Sequence, residues 1–382
     1  MTKKNAPFYC IIICLLACLT NQLFAQSQGK VYLPFQSPVV TNNALPLGSP
    51  WCGGINATQM NLADLNQDGK EDLILLDHNK NGLLKTFLNT GLNGEIKCEY
   101  HPEFEKNFPK IDDYLLMLDY NCDGITDLFH KGVYGVAVYK GYYQSNELKF
   151  TFYKDLFFPG FNGPVNVYVQ PSDVPSILDV DHDGDIDVLA FDVLGANLVY
   201  YRNMAVEDGL PCDTMKMTYF EKCWGKFYQG INREVTTGIT CKGSEGSNKK
   251  TRHTGNCIVH FDIDGDQDLD MVGGNISFDD AQVLYNGAST LSADVIIDQD
   301  TLYNKNGHQV QMPTWPVPAH LDIDHDGDKD LLFSAHFENL NSANYQAVSF
   351  YKNTGTDLSP NFVHQHDTLL TPDMIDVGSN SY

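Results

Sequence analysis

Basic residues are scarce in this 382-residue chain: 25 Lys and Arg stand against 49 Asp and Glu, for a net charge of -24. A sequence-independent nucleic-acid binder needs clustered Lys and Arg to displace counterions from phosphate. No basic run is longer than a pair such as Lys249-Lys250, so nucleic acid is disfavoured as a partner. Long apolar runs are scarce as well. The longest, Phe8 to Leu19, falls well short of the ~20 residues of a membrane-spanning helix. It follows Lys3 and Lys4 and precedes Leu23-Phe24-Ala25, which reads as a secretory signal over residues 1–25 cleaved after Ala25. Leu15-Leu16-Ala17-Cys18 also resembles a bacterial lipobox, which would make Cys18 a lipidated N-terminus; export to the medium or the cell surface is expected either way. Helical apolar periodicity is nearly absent outside the signal, which disfavours βαβ and helical-repeat folds. There is no Gly-x-Ser-x-Gly, no His-Glu-x-x-His, no phosphate-cradling glycine loop and no Cys-x-x-Cys. A nucleophile-elbow hydrolase, a zincin, a nucleotide-binding site and a zinc or redox motif are therefore not indicated.

Apolar area is plentiful: 42% of residues are hydrophobic and 12% aromatic, enough for a sizeable core and against disorder. Loss of the signal leaves seven cysteines, Cys52, Cys98, Cys122, Cys212, Cys223, Cys241 and Cys257. An odd number leaves at least one thiol unpaired. Four of them surround a Gly-, Ser-, Asn- and Lys-rich excursion over about 205–256. Disulfides there would staple it in an oxidising compartment, with Cys212–Cys223 the preferred pair and Cys122 read as a free thiol.

One acidic pattern recurs five times at roughly 60-residue spacing, with one longer interval that contains the excursion. Its positions 1, 3, 5 and 9 are Asp64, Asn66, Asp68 and Asp72; Asp119, Asn121, Asp123 and Asp127; Asp179, Asp181, Asp183 and Asp187; Asp262, Asp264, Asp266 and Asp270; and Asp322, Asp324, Asp326 and Asp330. Each loop lies between β-prone runs, and a third run often closes on Asn, as at Asn89, Asn203, Asn286 and Asn353; a fourth can follow. Four short strands per repeat are the mark of a propeller blade. The fold expected is all-β, a β-propeller of four-stranded blades, with five readable.

Oxygens at positions 1, 3, 5 and 9, with the position-7 carbonyl, can converge on a hard divalent cation that takes six to eight oxygen ligands. Gly at position 6 permits the sharp turn in four loops; the fourth has Gly265 at position 4 and Gln267 at position 6, which sets its geometry apart. The five loops hold 21 Asp of the chain's 49 acids, and so many carboxylates at close range repel unless a cation sits among them. Ca2+ is the expected ion, bound by the twenty residues named above. EF-hands are excluded, because position 12 is Leu75, His130, Ala190, Gly273 and Phe333, none of them a carboxylate.

These loops, with the Asn-x-Gly strands after them, resemble FG-GAP/VCBS repeats, the calcium-bearing blades of integrin-α-like β-propellers, over roughly residues 50–370. The chain is also similar to secreted Bacteroidetes repeat proteins that often end in a type IX sorting domain, though no such domain is visible. The resemblance implies calcium on the loop between the first two strands of each blade and about seven blades in a full-length member; residues 370–382 read as the lead-in to a further, incomplete repeat, and the alternative is a closed five- or six-bladed ring that uses residues 31–48. The organisation read from it is a signal over 1–25, a lead-in over 26–48 and the propeller over 49–382.

The function expected is a secreted binding or adhesion module for extracellular protein or glycan, not an enzyme; the alternative is a polysaccharide lyase or hydrolase with a site in the propeller channel. A third reading makes the propeller a stalk that binds only calcium. His364 and His366 could lie on one strand face as metal ligands, but a solvated pair is the preferred reading. Trp51, Trp224 and Trp315 are read as buried blade anchors rather than a ligand-stacking surface.

Overall fold

The computed structural model describes residues 39–42, 45–78, 83–133, 135–240, 256–287, 294–305, 307–339, 342 and 345–375. The signal with Cys18, most of the lead-in, Cys241 and residues from 376 onward lie outside them. Almost everything described is strand, turn or loop, and among the described residues no helix is long and apolar enough to cross a membrane.

Five four-stranded antiparallel sheets follow one another along the chain, each with its strands in sequential order. Blade 1 is Thr58–Ala63, Asp72–Asp77, Leu83–Asn89 and Cys98–Tyr100; blade 2 is Leu115–Leu118, Asp127–Lys131, Val136–Gln144 and Glu147–Asp155. Blade 3 is Ser176–Leu178, Asp187–Phe191, Leu198–Asn203 and Met217–Glu221; blade 4 is Asn256–Phe261, Asp270–Asn275, Ala281–Asn286 and Ile296–Asp300. Blade 5 is Pro316–Leu321, Asp330–Ala335, Val348–Asn353 and Phe362–His366. The first strand of each blade is innermost: those of blades 1 and 2, 3 and 4, 4 and 5, and 5 and 1 touch across the ring.

The second strands are buried on both faces, which is why residues 73–76 and 331–333 read as continuous apolar runs rather than alternating ones. Their side chains fill five apolar clusters, each wedged between two neighbouring blades. Blades 1 and 2 meet around Ile74, Leu115 and Leu128, and blades 2 and 3 around Phe129, Val188 and Val199. Blades 3 and 4 share Leu189, Trp224 and Leu284, and blades 4 and 5 share Val283, Phe333 and Tyr351. The fifth cluster joins Leu73, Phe87, Leu332 and Phe350, and therefore blade 5 to blade 1. Beside it the Thr58 amide donates to Ser334 Oγ at 3.0 Å. Five blades thus close the ring. Residues 370–375, expected to open a further repeat, fold back on the segment before blade 1, where the Ser49 amide donates to the Asp373 carbonyl at 3.0 Å and the Ile375 amide to the Pro50 carbonyl at 3.3 Å.

Two cysteine expectations are corrected. Cys212 is bonded to Cys122, not to Cys223, with 6.1 Å between Cα atoms, and Cys122 is therefore not a free thiol. Cys122 occupies position 4 of its loop, and its bond reaches the connection between the third and fourth strands of blade 3. Cys223 is disulfide-bonded as well. Trp224 and Trp315 are buried as expected, Trp224 plugging the blade 3–blade 4 cluster, whereas Trp51 is 43% exposed.

Blades 4 and 5 approach closely at Gly274 in the second strand of blade 4, where an added Cβ would overlap the backbone of Pro316 in blade 5. Gly274→Ala is expected to destabilise the ring by about 3 kcal/mol, as overpacking against rigid backbone does. A denaturant titration checks this; a midpoint equal to that of the parent would show that the two blades separate at little cost.

Candidate metal centres

Each acidic loop joins the first to the second strand of its blade, so all five lie on one end of the ring. Their backbone repeats closely. Position 4 is left-handed in every loop, with φ 60° at Gln67, 59° at Cys122, 60° at His182, 86° at Gly265 and 58° at His325. Position 6 is left-handed too, including Gln267 at φ 75°. The fourth loop therefore keeps the shared path: it has moved its glycine from one left-handed position to the other, leaving Gln267 to bear the steric cost of a side chain at positive φ.

The position-1 carboxylate holds this path. Its Oδ2 accepts the position-6 amide at 2.8 Å in the Asp64 and Asp119 loops, 2.9 Å in the Asp179 and Asp262 loops and 3.0 Å in the Asp322 loop. The position-5 carboxylate turns one oxygen to the position-7 amide, as Asp183 does to Asp185 at 3.0 Å.

Position 9 anchors loop to blade. Asp72, Asp127, Asp187, Asp270 and Asp330 are completely buried at the start of the second strand. Oδ1 of each accepts a third-strand amide, from Asn89, Gly141, Asn203, Asn286 and Asn353 respectively, at 2.7–2.8 Å. Oδ2 accepts the position-2 amide in the first four loops, for example from Leu65 at 2.9 Å. Burial disfavours the charged form and pushes these carboxyls up, to about 6 for Asp127, about 7 for Asp72, Asp270 and Asp330, and about 8 for Asp187.

Oxygens from positions 1, 3 and 9 lie within 4.8 Å of one another in three loops: Asp179, Asp181 and Asp187; Asp262, Asp264 and Asp270; Asp322, Asp324 and Asp330. In the other two, position 3 is amide: Asn66 Nδ2 donates to Asp68 and Asn121 Nδ2 to Asp127 at 2.6 Å. The position-5 carboxylates stand outside those triplets; Asp183 groups instead with Asp181 and Glu207, a residue that no sequence signal singled out. An all-oxygen donor set suits a hard cation such as Ca2+. The fit shows in blade 5, where Asp330 belongs to the oxygen triplet and its Oδ2 is buried with no hydrogen-bond partner.

Three loops also receive a cationic side chain, from the third-strand residue immediately before the one whose amide holds position 9. Lys140 lies 3.2 Å from Asp123; Arg202 pairs with Asp181, Asp183 and Glu207; Lys352 pairs with Asp324 and, at 2.9 Å, with Asp326. The equivalent residues of blades 1 and 4 are Leu88 and Tyr285. The signal, Lys or Arg just before the closing Asn or Gly, was present in the sequence but reads as an ordinary exposed strand charge until the register is known.

At the opposite end of the ring a cavity of about 520 Å³ is lined by His78, Asp112, Asp113, Pro171, Ser172, His336 and Phe337, from blades 1, 2, 3 and 5. His336 stacks between His78, at 4.9 Å between centroids, and Trp315, at 4.5 Å. Burial holds both imidazoles neutral, pushing His78 down to about 4 and His336 to about 3.

No protein-family model matches the chain, and no curated protein matches it.

Proposed function

We propose that the chain is a secreted calcium-binding propeller of the FG-GAP/VCBS repeat type that serves as a binding or adhesion module for extracellular glycan or protein. The observation that carries the calcium reading is the loop frame shared by all five blades, which brings carboxylate oxygens together in three of them and leaves Asp330 Oδ2 buried without a partner. Asp72, Asp127, Asp187, Asp270 and Asp330 would join the ion to the blade, with positions 1 and 3 supplying further oxygens; the ion would neutralise the loop and stiffen the blade ends. The binding reading is supported by the division of the ring into an acidic-loop end and an end that opens on the His78–His336 cavity.

Isothermal titration of the EDTA-stripped protein tests the calcium reading, with four or five ions expected and no heat of binding overturning it. A screen of polysaccharides in millimolar calcium tests the module reading: retention without cleavage is expected, and depolymerisation would make the chain an enzyme.

The tethered cations would compete with calcium. Lys352→Ala is expected to tighten calcium binding at the blade 5 loop roughly fivefold, about 1 kcal/mol, by removing a part-exposed ammonium from the carboxylates. Per-site affinities from titration of the variant check this, and weaker binding would mean that Lys352 positions the ligands instead.

A further inference from the structure

A second donor set lies away from the acidic loops, on the outer edge of blade 5, and its chemistry is different. His308 belongs to a two-stranded hairpin, Asn304–Lys305 with His308–Gln309, in the connection from blade 4 to blade 5. His364 is on the outermost strand of blade 5, and Asp367 follows that strand directly. His364 Nε2 lies 3.0 Å and His308 Nε2 3.4 Å from the same oxygen, Asp367 Oδ1. The three donor atoms lie within 4.8 Å of one another.

The surroundings hold this set in place. Ser349 Oγ donates to Asp367 Oδ1 at 2.6 Å and fixes the carboxylate. Tyr351 packs edge-on to His364 at 5.1 Å and its hydroxyl donates to the His308 carbonyl at 3.3 Å, which seats the hairpin. The imidazoles are stacked face to face, 3.5 Å apart and 10° from parallel. All three ligating side chains are in reach of solvent, at 37%, 17% and 28% exposure for His308, His364 and Asp367. The sequence pairing of His364 with His366 is not the relevant one: the strand is bulged between these two positions, and His366 packs on Phe350.

Two imidazole nitrogens and one carboxylate oxygen are the donors of a borderline transition-metal ion, not of calcium, which takes oxygen alone. We propose that His308, His364 and Asp367 form a binding site for a divalent ion of the zinc class that pins the blade 4–blade 5 hairpin to the outer edge of blade 5. A metal lies in the plane of each imidazole it binds, so His308, the most exposed of the three, turns out of the stack when the ion enters. Ser349 supports the carboxylate from behind, and water completes the coordination.

The test uses the purified protein, stripped with EDTA and then saturated with ~10 mM calcium so that the oxygen loops are occupied. Titration with Zn2+ is expected to show one tight equivalent, and Co2+ to give a visible absorption band of low-coordinate cobalt bound to nitrogen. His308→Ala and His364→Ala are each expected to weaken zinc binding at least tenfold and to abolish the cobalt band, while His101→Ala, at a surface His–Glu pair, leaves both unchanged. His308 sits on an exposed hairpin, so its variant decides the matter if His364→Ala fails to fold. Absence of zinc binding, or equal affinity in the parent and His308→Ala, overturns the proposal.

Discussion

Calcium at ~10 mM is expected to raise the melting temperature of the EDTA-stripped protein by on the order of 10 °C. Extracellular sites of this kind bind at about 10⁻⁴ to 10⁻³ M, so each contributes roughly 1.4 kcal/mol or more at that concentration, and five contribute about 7 kcal/mol. The direction follows from charge: the loops gather 21 Asp, and the ion removes their mutual repulsion in the folded state, while the unfolded chain holds no preformed site. Thermal melts in EDTA, in calcium and in magnesium check it. Magnesium, which demands stricter octahedral geometry and surrenders water reluctantly, is expected to do much less. An identical melt in EDTA and calcium would reduce the loops to turns and leave the acidic excess without an explanation.

The second large effect separates scaffold from ligand. Asp187 accepts the Asn203 amide at 2.7 Å, the Tyr200 hydroxyl at 2.9 Å and the Val180 amide at 3.1 Å, all in the buried interior of blade 3. Asp187→Ala strands three donors, and a buried donor left unpaired costs about 1–3 kcal/mol, so a loss of about 4 kcal/mol is expected. That loss should appear in EDTA as well as in calcium. Asp183→Ala, whose carboxylate is part-exposed, should by contrast cost little in EDTA and lower the calcium response. Chemical denaturation of both variants with and without calcium makes the comparison. Equal behaviour of the two in EDTA would show that position 9 does not anchor the blade.

The periodic features were legible without coordinates because each is local. A glycine or a short polar residue at a left-handed turn, an acid at a fixed offset and an apolar run all act within a few residues, so the acidic loops and the strands around them could be placed on the chain. Less local relations were misread. Cys122 finds Cys212 because blade 3 swings its strand connection beside the loop of blade 2, and no spacing rule encodes that approach. Lys140, Arg202 and Lys352 reach the acids only once the third strand lies in register beside the loop, and His308 meets His364 only across the blade 4–blade 5 hairpin.

Local order along the chain was enough to set the all-β repeat, the four-strand blade and the positions of the acidic loops, because turn chemistry and the recurrence of short apolar runs operate over neighbouring residues. Packing settled that five blades close the ring and which cysteines meet. It also settled that position 9 is a buried anchor and that two histidines and an aspartate converge on the rim. Each of these depends on contact between blades, where residues far apart in the chain bury a shared apolar surface and the backbone has one arrangement that fills it.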